Sequence, residues 1–424
     1  MKINGGPLAV RDFQRLSAGQ FASTIGDYCY AIALPWYVLS SHGSTILLGI
    51  VLACYGVPRT VLIPVGGVLV DRMSPRAVML MADSGRCVLV GVLALLATRH
   101  SVSLTYLGPT AALIGAGSGL FIPASFAILP SVLETSQLTA GNGLFSAFQQ
   151  GGSFIGPAIG GVVVALASPA SAFGIDAASF AVSALTLAFI RGRARDASPV
   201  ETAPSADGEA AAASGGVLRL LRTSPVLQFL LVIVIAANLT SAGLSQIALP
   251  ALAHQRWAAS GYGALLCCIA AGSIVGSLVG ARSGGLRRPA VVASLLFAGE
   301  SVAAGIAPFL GGLPGIAAAL ALMGLGNGLG NTIMLPRIQA WAPPELIGRV
   351  MGLVMLCAFG SAPVSVVITG VFVHHFGAVA FFPVAGCVVG VVVLAALASK
   401  QWRNFGALPS PEQSSEPTSA APIS

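Results

Sequence analysis

A run of glycines inside one apolar segment constrains the fold of this chain more than any other feature. Gly152, Gly156 and Gly160 recur every four residues, within a stretch long enough to cross a bilayer. Residues at this spacing fall on one face of a helix. A face without side chains lets a second backbone come close, which matters in lipid because apolar tails give helices no hydrophobic reason to associate. The full pattern consists of Gly143, Gly152, Gly156, Pro157, Gly160 and Gly161.

The composition places the rest of the chain in the same environment. Of the 424 residues, 55% are hydrophobic and only 8% are charged, whereas about a quarter of a soluble protein is charged. The length accommodates about a dozen spans of ~20 residues. We therefore predict an all-α membrane protein with twelve transmembrane helices, near residues 15–39, 46–70, 77–98, 103–129, 139–166, 172–190, 225–252, 260–281, 289–310, 314–336, 348–372 and 379–398.

The order of polar and apolar segments predicts two halves. Residues 1–190 and 225–400 each hold six spans, and residues 191–224, rich in Ala, Ser, Pro and Gly, form a flexible cytoplasmic linker. We expect a disordered cytoplasmic tail over 401–424. At an offset of 209, five glycines of the first half recur in three helices of the second, which predicts two pseudo-symmetric six-helix bundles: Gly67 and Gly276, Gly117 and Gly326, Gly119 and Gly328, Gly143 and Gly352, Gly161 and Gly370.

The basic residues predict the orientation. With both termini in the cytoplasm, 17 of the 21 Lys and Arg residues fall in cytoplasmic segments, as the positive-inside rule requires. This asymmetry also accounts for the net charge of +7. Since the cations are spread over many segments rather than clustered on one face, we exclude a nucleic-acid partner. The expected location is a bacterial cytoplasmic membrane, which the chain crosses many times as a monomer.

The loop after the second span holds one acid and two bases close together. Ser74 can cap the third helix, and Pro75 fits its first turn. The charged residues alone are also compatible with a purely topological role. The pattern comprises Gly67, Asp71, Arg72 and Arg76.

These two motifs together resemble the fifth-helix antiporter motif and the loop 2–3 signature of exporters in the major facilitator superfamily. The resemblance covers roughly residues 10–400, and stretches such as Ile25-Gly26-Asp27 and Val57-Pro58-Arg59 are similar to the branch with siderophore and macrolide exporters. It implies two bundles that rock about a central site, with Asp71 and Arg72 in a gating latch. Many drug–proton antiporters carry an arginine in the fourth helix, but residues 104–129 contain no charge.

Ionisable groups within the spans are candidates for coupling, since each is costly in lipid unless paired or hydrated. Asp27 and Arg59 lie at similar depths in adjacent spans, and we predict that they pair beside the cavity, either to carry the coupling proton or as a permanent ion pair. Glu300 is a second coupling candidate or a neutral acid bonded to a neighbouring helix. Asp83 and Arg86 are spaced to pair on one helix face and to support the latch. Asp176 is expected at a water-accessible outer end.

Polar residues within the spans either contact substrate or bond one helix to another. They are Tyr30, Gln149, Gln150, Asn238, Gln246, Asn327 and Asn331. With so few fixed hydrogen-bonding groups, an amphiphilic or apolar cargo fits better than a sugar. Gly272, Gly276 and Gly280 in the eighth span are expected to face the glycines of the fifth across the two halves.

The sequence excludes several other functions. The two lysines, Lys2 and Lys400, do not follow glycine-rich loops, so there is no P-loop ATPase. All five His fall at outer loops, which argues against an intramembrane enzyme. No Cys or His has metal-ligand spacing, and we expect no cofactor. We predict a secondary transporter that exports small lipophilic or secondary-metabolite-like compounds in exchange for protons. An uptake permease and a non-transporting membrane protein remain the alternatives.

Overall fold

The computed structural model describes residues 6–99, 104–190, 220–282, 286–343 and 346–406. It confirms the all-α fold with two six-helix halves, and each predicted span coincides with a long helix to within a few residues at either end. We number these α1 Arg11–His42, α2 Thr45–Arg72, α3 Pro75–Thr98, α4 Leu104–Ala127, α5 Leu138–Leu166, α6 Pro169–Ala188, α7 Pro225–Arg256, α8 Ala259–Gly280, α9 Pro289–Ile306, α10 Gly312–Trp341, α11 Ile347–Phe376 and α12 Ala378–Ala398.

Local sequence explains where several helices begin. At the starts of α3, α6 and α7 a serine accepts a hydrogen bond from a backbone N–H of the first turn, and a proline follows directly. The serine satisfies a donor that has no partner within the helix, and proline lacks the N–H that would otherwise be left over. Ser74 and Pro75 confirm this prediction for α3.

Ten of the described helices are long and apolar enough to cross a membrane. The other two long helices, α1 and α5, are less apolar because they carry polar side chains such as Asp27 and Gln150. Both of these side chains line the central cavity described below. The two helices that weaken the hydropathy pattern are therefore helices that build the site.

The helix packing confirms the duplication seen in the sequence. Gly115 and Gly119 of α4 pack against the backbone of α2, and Gly324 and Gly328 of α10 pack in the same way against α8. The glycines of the second pair follow those of the first at the same offset of 209. In both halves the second and fourth helices are thus brought together by glycine faces.

The same symmetry governs the contact between the halves, which meet along α5 and α8 and along α2 and α11. A methyl group added at Gly161 of α5 would lie 3.0 Å from the Cα of Gly263 in α8. One added at Gly370 of α11 would lie 3.4 Å from the Cα of Gly49 in α2. Gly161 and Gly370 are themselves equivalent at the offset of 209. The fifth helix of each half therefore meets the second helix of the other half through the same glycine. We call these four residues the glycine seam.

The apolar core shows that the bundle is closed at one end. We call the end that carries Arg15, Arg72 and Arg349 the basic end, and the end that carries Gly43 and Gly377 the far end. At the far end a single core cluster contains residues of both halves. At the basic end the core divides into two clusters, each built from one half.

Polar contacts across the far end agree with this closure. The hydroxyl of Ser40 in α1 lies 3.2 Å from Nε2 of His254 in α7, whose ring packs edge-on against Trp36 with centroids 4.9 Å apart. The Thr45 hydroxyl donates to the Gly370 carbonyl over 2.9 Å. Together with the seam, these contacts tie the first half to the second.

One prediction about the glycines is wrong. Gly272, Gly276 and Gly280 of α8 do not face α5; they pack within their own half against α10, where an added methyl group would meet residues such as Ala321, Leu325 and Thr332. Gly152, Gly156 and Gly160 likewise face α1, with Tyr28 beside Gly156. The four-residue spacing identified close packing correctly, but spacing alone does not say which helix is the partner.

The predicted boundaries need one change. Lys400–Arg403 is helical, and Trp402 and Phe405 are buried against the second half, where the Trp402 indole N–H donates to Ser294 over 2.9 Å. The packed region thus extends to residue 406 rather than ending at 400. Residues 191–219 of the predicted linker and residues 407–424 of the predicted tail lie outside the described residues.

We predict that Gly161→Leu prevents closure at the far end. The new side chain would occupy the space of Gly263 and Ala259, so the halves cannot meet there, whereas folding within each half is undisturbed. Transport should be abolished while the amount of protein in the membrane is unchanged. The matched control is Gly174→Leu in α6, where an added methyl group has nothing within 4 Å. Normal transport by a well-expressed Gly161→Leu variant would contradict the seam.

Candidate functional site

A central cavity of about 610 Å³ lies between the halves. It is walled by helices of both halves, and its lining combines hydroxyl, amide and charged groups with apolar side chains. The residues that line it are Thr24, Asp27, Tyr28, Tyr30, Ala31, Leu34, Pro35, Leu52, Tyr55, Arg59, Ile114, Gln150, Ser153, Asp176, Ser241, Ser245, Gln246, Tyr262, Leu266, Ile269, Ala270, Ser273 and Met323. Four tyrosines among them offer broad amphipathic surfaces, which suit a ligand with aromatic or apolar parts.

The charge of this lining is confined to one wall. Asp27, Arg59 and Asp176 all belong to the first half, while the second half contributes neutral groups such as Gln246 and Tyr262. A ligand between the halves therefore meets ionisable groups on one side and neutral hydrogen-bonding and apolar surface on the other.

Asp27 stands open to the cavity, but the predicted pair with Arg59 is not formed. Within the described residues, side chains come within 4.0 Å as ion pairs at Arg15–Asp12 and Arg86–Asp83. Arg59 instead lies over two aromatic rings, 5.9 Å from the centroid of Tyr55 and 6.0 Å from that of Phe359 in α11. The guanidinium is thus turned toward the opposite half, which leaves the Asp27 carboxylate free of an ion-pair partner in the described part of the chain.

Asp83 and Arg86 form the predicted ion pair on α3, and it is fully buried. The Ser183 hydroxyl of α6 donates to the second oxygen of Asp83 over 2.6 Å. The guanidinium of Arg86 lies between the rings of Phe121 and Phe180, 4.6 and 4.3 Å from their centroids. The pair is therefore held by α4 and α6 as well as by its own helix.

A short chain of polar groups leads from this ion pair to the cavity. Arg86 Nη1 lies 3.5 Å from the Ser118 hydroxyl of α4, which also accepts a hydrogen bond of 3.2 Å from the Tyr55 hydroxyl. Tyr55 lines the cavity. The sequence of α4 contains no charge, but Arg86 of α3 places a cation in contact with that helix.

Asp176 was predicted to lie in water at an outer helix end, and this prediction is wrong. Its side chain is buried on the cavity wall, beside Gly26 of α1 and Ser179 of its own helix. The helix begins at Pro169, so Asp176 lies about two turns inside rather than at the end. A charge pattern gives the depth of a residue poorly when the helix boundary is uncertain.

The other sequence candidates divide into two groups. Tyr30, Gln150 and Gln246 line the cavity, whereas Gln149, Asn238, Asn327, Asn331 and Glu300 do not. Asn238 donates to the Val234 carbonyl of its own helix, and Asn331 donates to Asn327. Sequence reasoning missed Tyr28, Tyr55, Ser153, Ser241, Ser245 and Tyr262. For Ser153, three residues after Gln150, helical spacing was the available signal.

Of the charged residues around the loop between α2 and α3, Arg76 makes defined contacts, and the latch of Asp71 and Arg72 stays a prediction. Arg76 donates to the carbonyl of Leu187 over 2.8 Å and to that of Ala188, which ties α3 to the end of α6. Asp71 and Arg72 are exposed at the basic end. Arg76 therefore has a structural role in joining α3 to α6.

Two symmetric helical halves around a central cavity, closed at one end by a backbone seam, are the architecture of a membrane transporter. The profile of the Major Facilitator Superfamily matches residues 16–299, and the chain belongs to that family. It is a multi-pass membrane transporter of small molecules rather than an enzyme.

Known relatives agree with this assignment. The chain is 26% identical over 376 residues to the multidrug efflux pump Tap of Mycolicibacterium fortuitum, covering 86% of this chain and 88% of the pump. It is 26% identical over 354 residues to the enterobactin exporter EntS of Shigella boydii, with 80% of each chain covered. Both are exporters by name, as the predicted resemblance implied.

Solved structures share the fold at low identity. A POT family transporter in complex with 5-aminolevulinic acid superimposes with a TM-score of 0.71 at 15% identity, over 92% of this chain and 96% of that one. A bacterial homologue of the iron transporter ferroportin in its inward-facing state gives 0.67 at 15% identity, over 91% and 98%. These similarities establish the architecture alone.

We predict that Arg86→Ala destabilises the protein by about 3–5 kcal/mol, because it leaves the Asp83 carboxylate buried without its partner. The double variant Asp83→Asn with Arg86→Leu should recover much of that loss, since it removes both charges together. Unfolding of the purified protein in detergent measures both effects. Arg15→Ala is the control, because the exposed Arg15–Asp12 pair contributes at most about 1 kcal/mol. An Arg86→Ala variant as stable as the control would show that the buried pair is dispensable.

Proposed function

We propose that this protein exports small lipophilic or secondary-metabolite-like compounds by proton antiport across the cytoplasmic membrane of a bacterium, with both termini in the cytoplasm. The observation that carries the proposal is an aspartate, Asp27, exposed to the central cavity and free of an ion-pair partner among the described residues. The efflux relatives support the direction of transport.

Asp27 is the group we assign to the coupling proton. A charged carboxylate in a mid-membrane cavity is stable only while water or a bound cationic or polar group solvates it. As the halves close around it, that solvation is lost, and the neutral acid becomes the more stable form. If the cavity opens in turn at the far end and at the basic end, Asp27 takes up a proton on one side of the membrane and releases it on the other.

The basic residues support the proposed orientation. The basic end carries Arg15, Arg72, Arg76 and Arg349, as the positive-inside rule requires of a cytoplasmic face. In that orientation the far-end closure corresponds to a state that faces the cytoplasm, from which an exporter collects its cargo. The cavity, with four tyrosines and few charges, suits cargo with apolar and aromatic surface.

The substrate is found first by expressing the chain in an efflux-deficient host and screening toxic compounds of several lipophilic classes. An exporter lowers the accumulation of its substrate, an uptake permease raises it, and a non-transporting protein leaves it unchanged. Only the first result supports the proposal.

We predict that Asp27→Asn lowers transport driven by a pH gradient at least about tenfold, because an amide cannot bind and release the coupling proton. A tenfold loss corresponds to roughly 1.4 kcal/mol of coupling free energy. Transport is measured in proteoliposomes with a compound identified by the screen. Asp12→Asn, at the basic end of the same helix, is the control and should transport normally. If Asp27→Asn retains full transport driven by the pH gradient, Asp27 does not carry the coupling proton.

A further inference from the structure

We propose that Glu300 is a proton-binding site of the second half, in a chamber of its own beside the central cavity. The chamber has a volume of about 30 Å³ and is enclosed by α7, α9, α10 and α12. The Oε2 atom of Glu300 is buried there without a hydrogen-bond partner among the described residues. The chamber is lined by Ala237, Thr240, Ser241, Leu244, Phe297, Glu300, Ser301, Ala304, Met323, Ala385, Gly386 and Val389.

The chamber can stabilise a neutral carboxylic acid but not a carboxylate. Glu300 is the only titratable residue among its lining, so no cation from α7, α9, α10 or α12 faces the acid there. The hydroxyls of Thr240 and Ser301 already donate to carbonyls of their own helices, over 2.8 and 2.7 Å. An unpaired charge in such surroundings is strongly unfavourable, whereas a bound proton removes the charge.

The same lining excludes a metal ion as the ligand. A hard cation takes about six or more oxygen ligands. Here the side-chain oxygens are those of the Glu300 carboxyl and of the Thr240, Ser241 and Ser301 hydroxyls, five in all, and the remaining walls are mostly alanine, leucine, valine and aromatic carbon. The chamber has room for roughly one or two water molecules, enough to pass a proton but not to hydrate an ion.

The chamber adjoins the central cavity through a wall one residue thick. Ser241 and Met323 line both spaces, and Ser241 is exposed. Three residues after Ser241, α7 begins a π-helical turn over Leu244–Ala248, a form that is rare and often found at functional sites. Since the regular backbone ladder is interrupted there, α7 can change shape at the point that separates Glu300 from the cavity.

The internal duplication provides independent support. Gly326 of α10 lies against Glu300, with an added methyl group 3.6 Å from the Cβ of the acid. Its equivalent at the offset of 209, Gly117 of α4, lies against Arg86, with an added methyl group 3.0 Å from Cγ. Both halves thus hold one ionisable side chain of the bundle interior against the same glycine. In the first half Asp83 neutralises it; in the second half a proton has that role.

The experiment is infrared difference spectroscopy of the purified full-length protein in lipid nanodiscs, between acidic and alkaline buffer. We expect a carbonyl band of a protonated carboxylic acid that is absent from Glu300→Gln, present in Asp27→Asn, and shifted in Glu300→Asp. Wild-type and Glu300→Gln spectra that coincide in this region would overturn the proposal. This readout needs no transport, so it does not depend on whether the proposed antiport is correct.

The role of the site in transport rests on the proposed function and is tested separately. In proteoliposomes, Glu300→Gln should lower transport driven by a pH gradient about tenfold while changing substrate affinity less than about twofold, and Glu300→Asp should restore part of the loss. Wild-type coupled transport by Glu300→Gln would show that Glu300 has no part in coupling. If Asp27→Asn also transports normally while the infrared band remains, the proposed coupling residue fails and the proton site stands.

Discussion

The close approach of two pairs of helix backbones at the glycine seam is the contact on which the rest of the structure depends. In lipid, helices do not associate to escape water, so contact area and close fit determine which surfaces meet. Gly161 with Gly263 and Gly370 with Gly49 let the halves touch without interlocked side chains. Such a surface can close tightly and separate again, since little has to repack when it opens. The seam lies toward the far end, and this location leaves the cavity beneath it intact.

The distribution of charge follows from the division into halves. The first half holds Asp27, Arg59, Asp83, Arg86 and Asp176, and its buried ion pair is fixed by α3, α4 and α6. The second half holds Glu300 in a chamber apart from the cavity. The two halves share a backbone plan and its glycines, yet they have taken different chemistry at equivalent positions. The first half therefore supplies most of the electrostatics of the site and the second half most of its neutral surface.

The sequence predicted the fold and the helix positions well, because hydropathy, glycine spacing and serine–proline starts are local properties. It also predicted the Asp83–Arg86 pair, whose members lie on one turn of one helix. It failed where the answer depends on which helices meet: the partners of Gly156 and Gly276, the separation of Asp27 from Arg59, and the depth of Asp176. A spacing shows that a face exists, whereas tertiary packing decides what the face contacts. Three of the four cavity tyrosines, Tyr28, Tyr55 and Tyr262, were missed for the same reason.

The central claim is that the two halves close alternately at opposite ends of one cavity. Its most direct test is the distance between spin labels in a cysteine-free background, with one pair at Ser41 and Gln255 of the far end and one at Met73 and Arg282 of the basic end. On addition of substrate or a change of pH, the far-end distance should lengthen as the basic-end distance shortens. Distances that stay fixed at both ends, or change together in the same direction, would contradict the account.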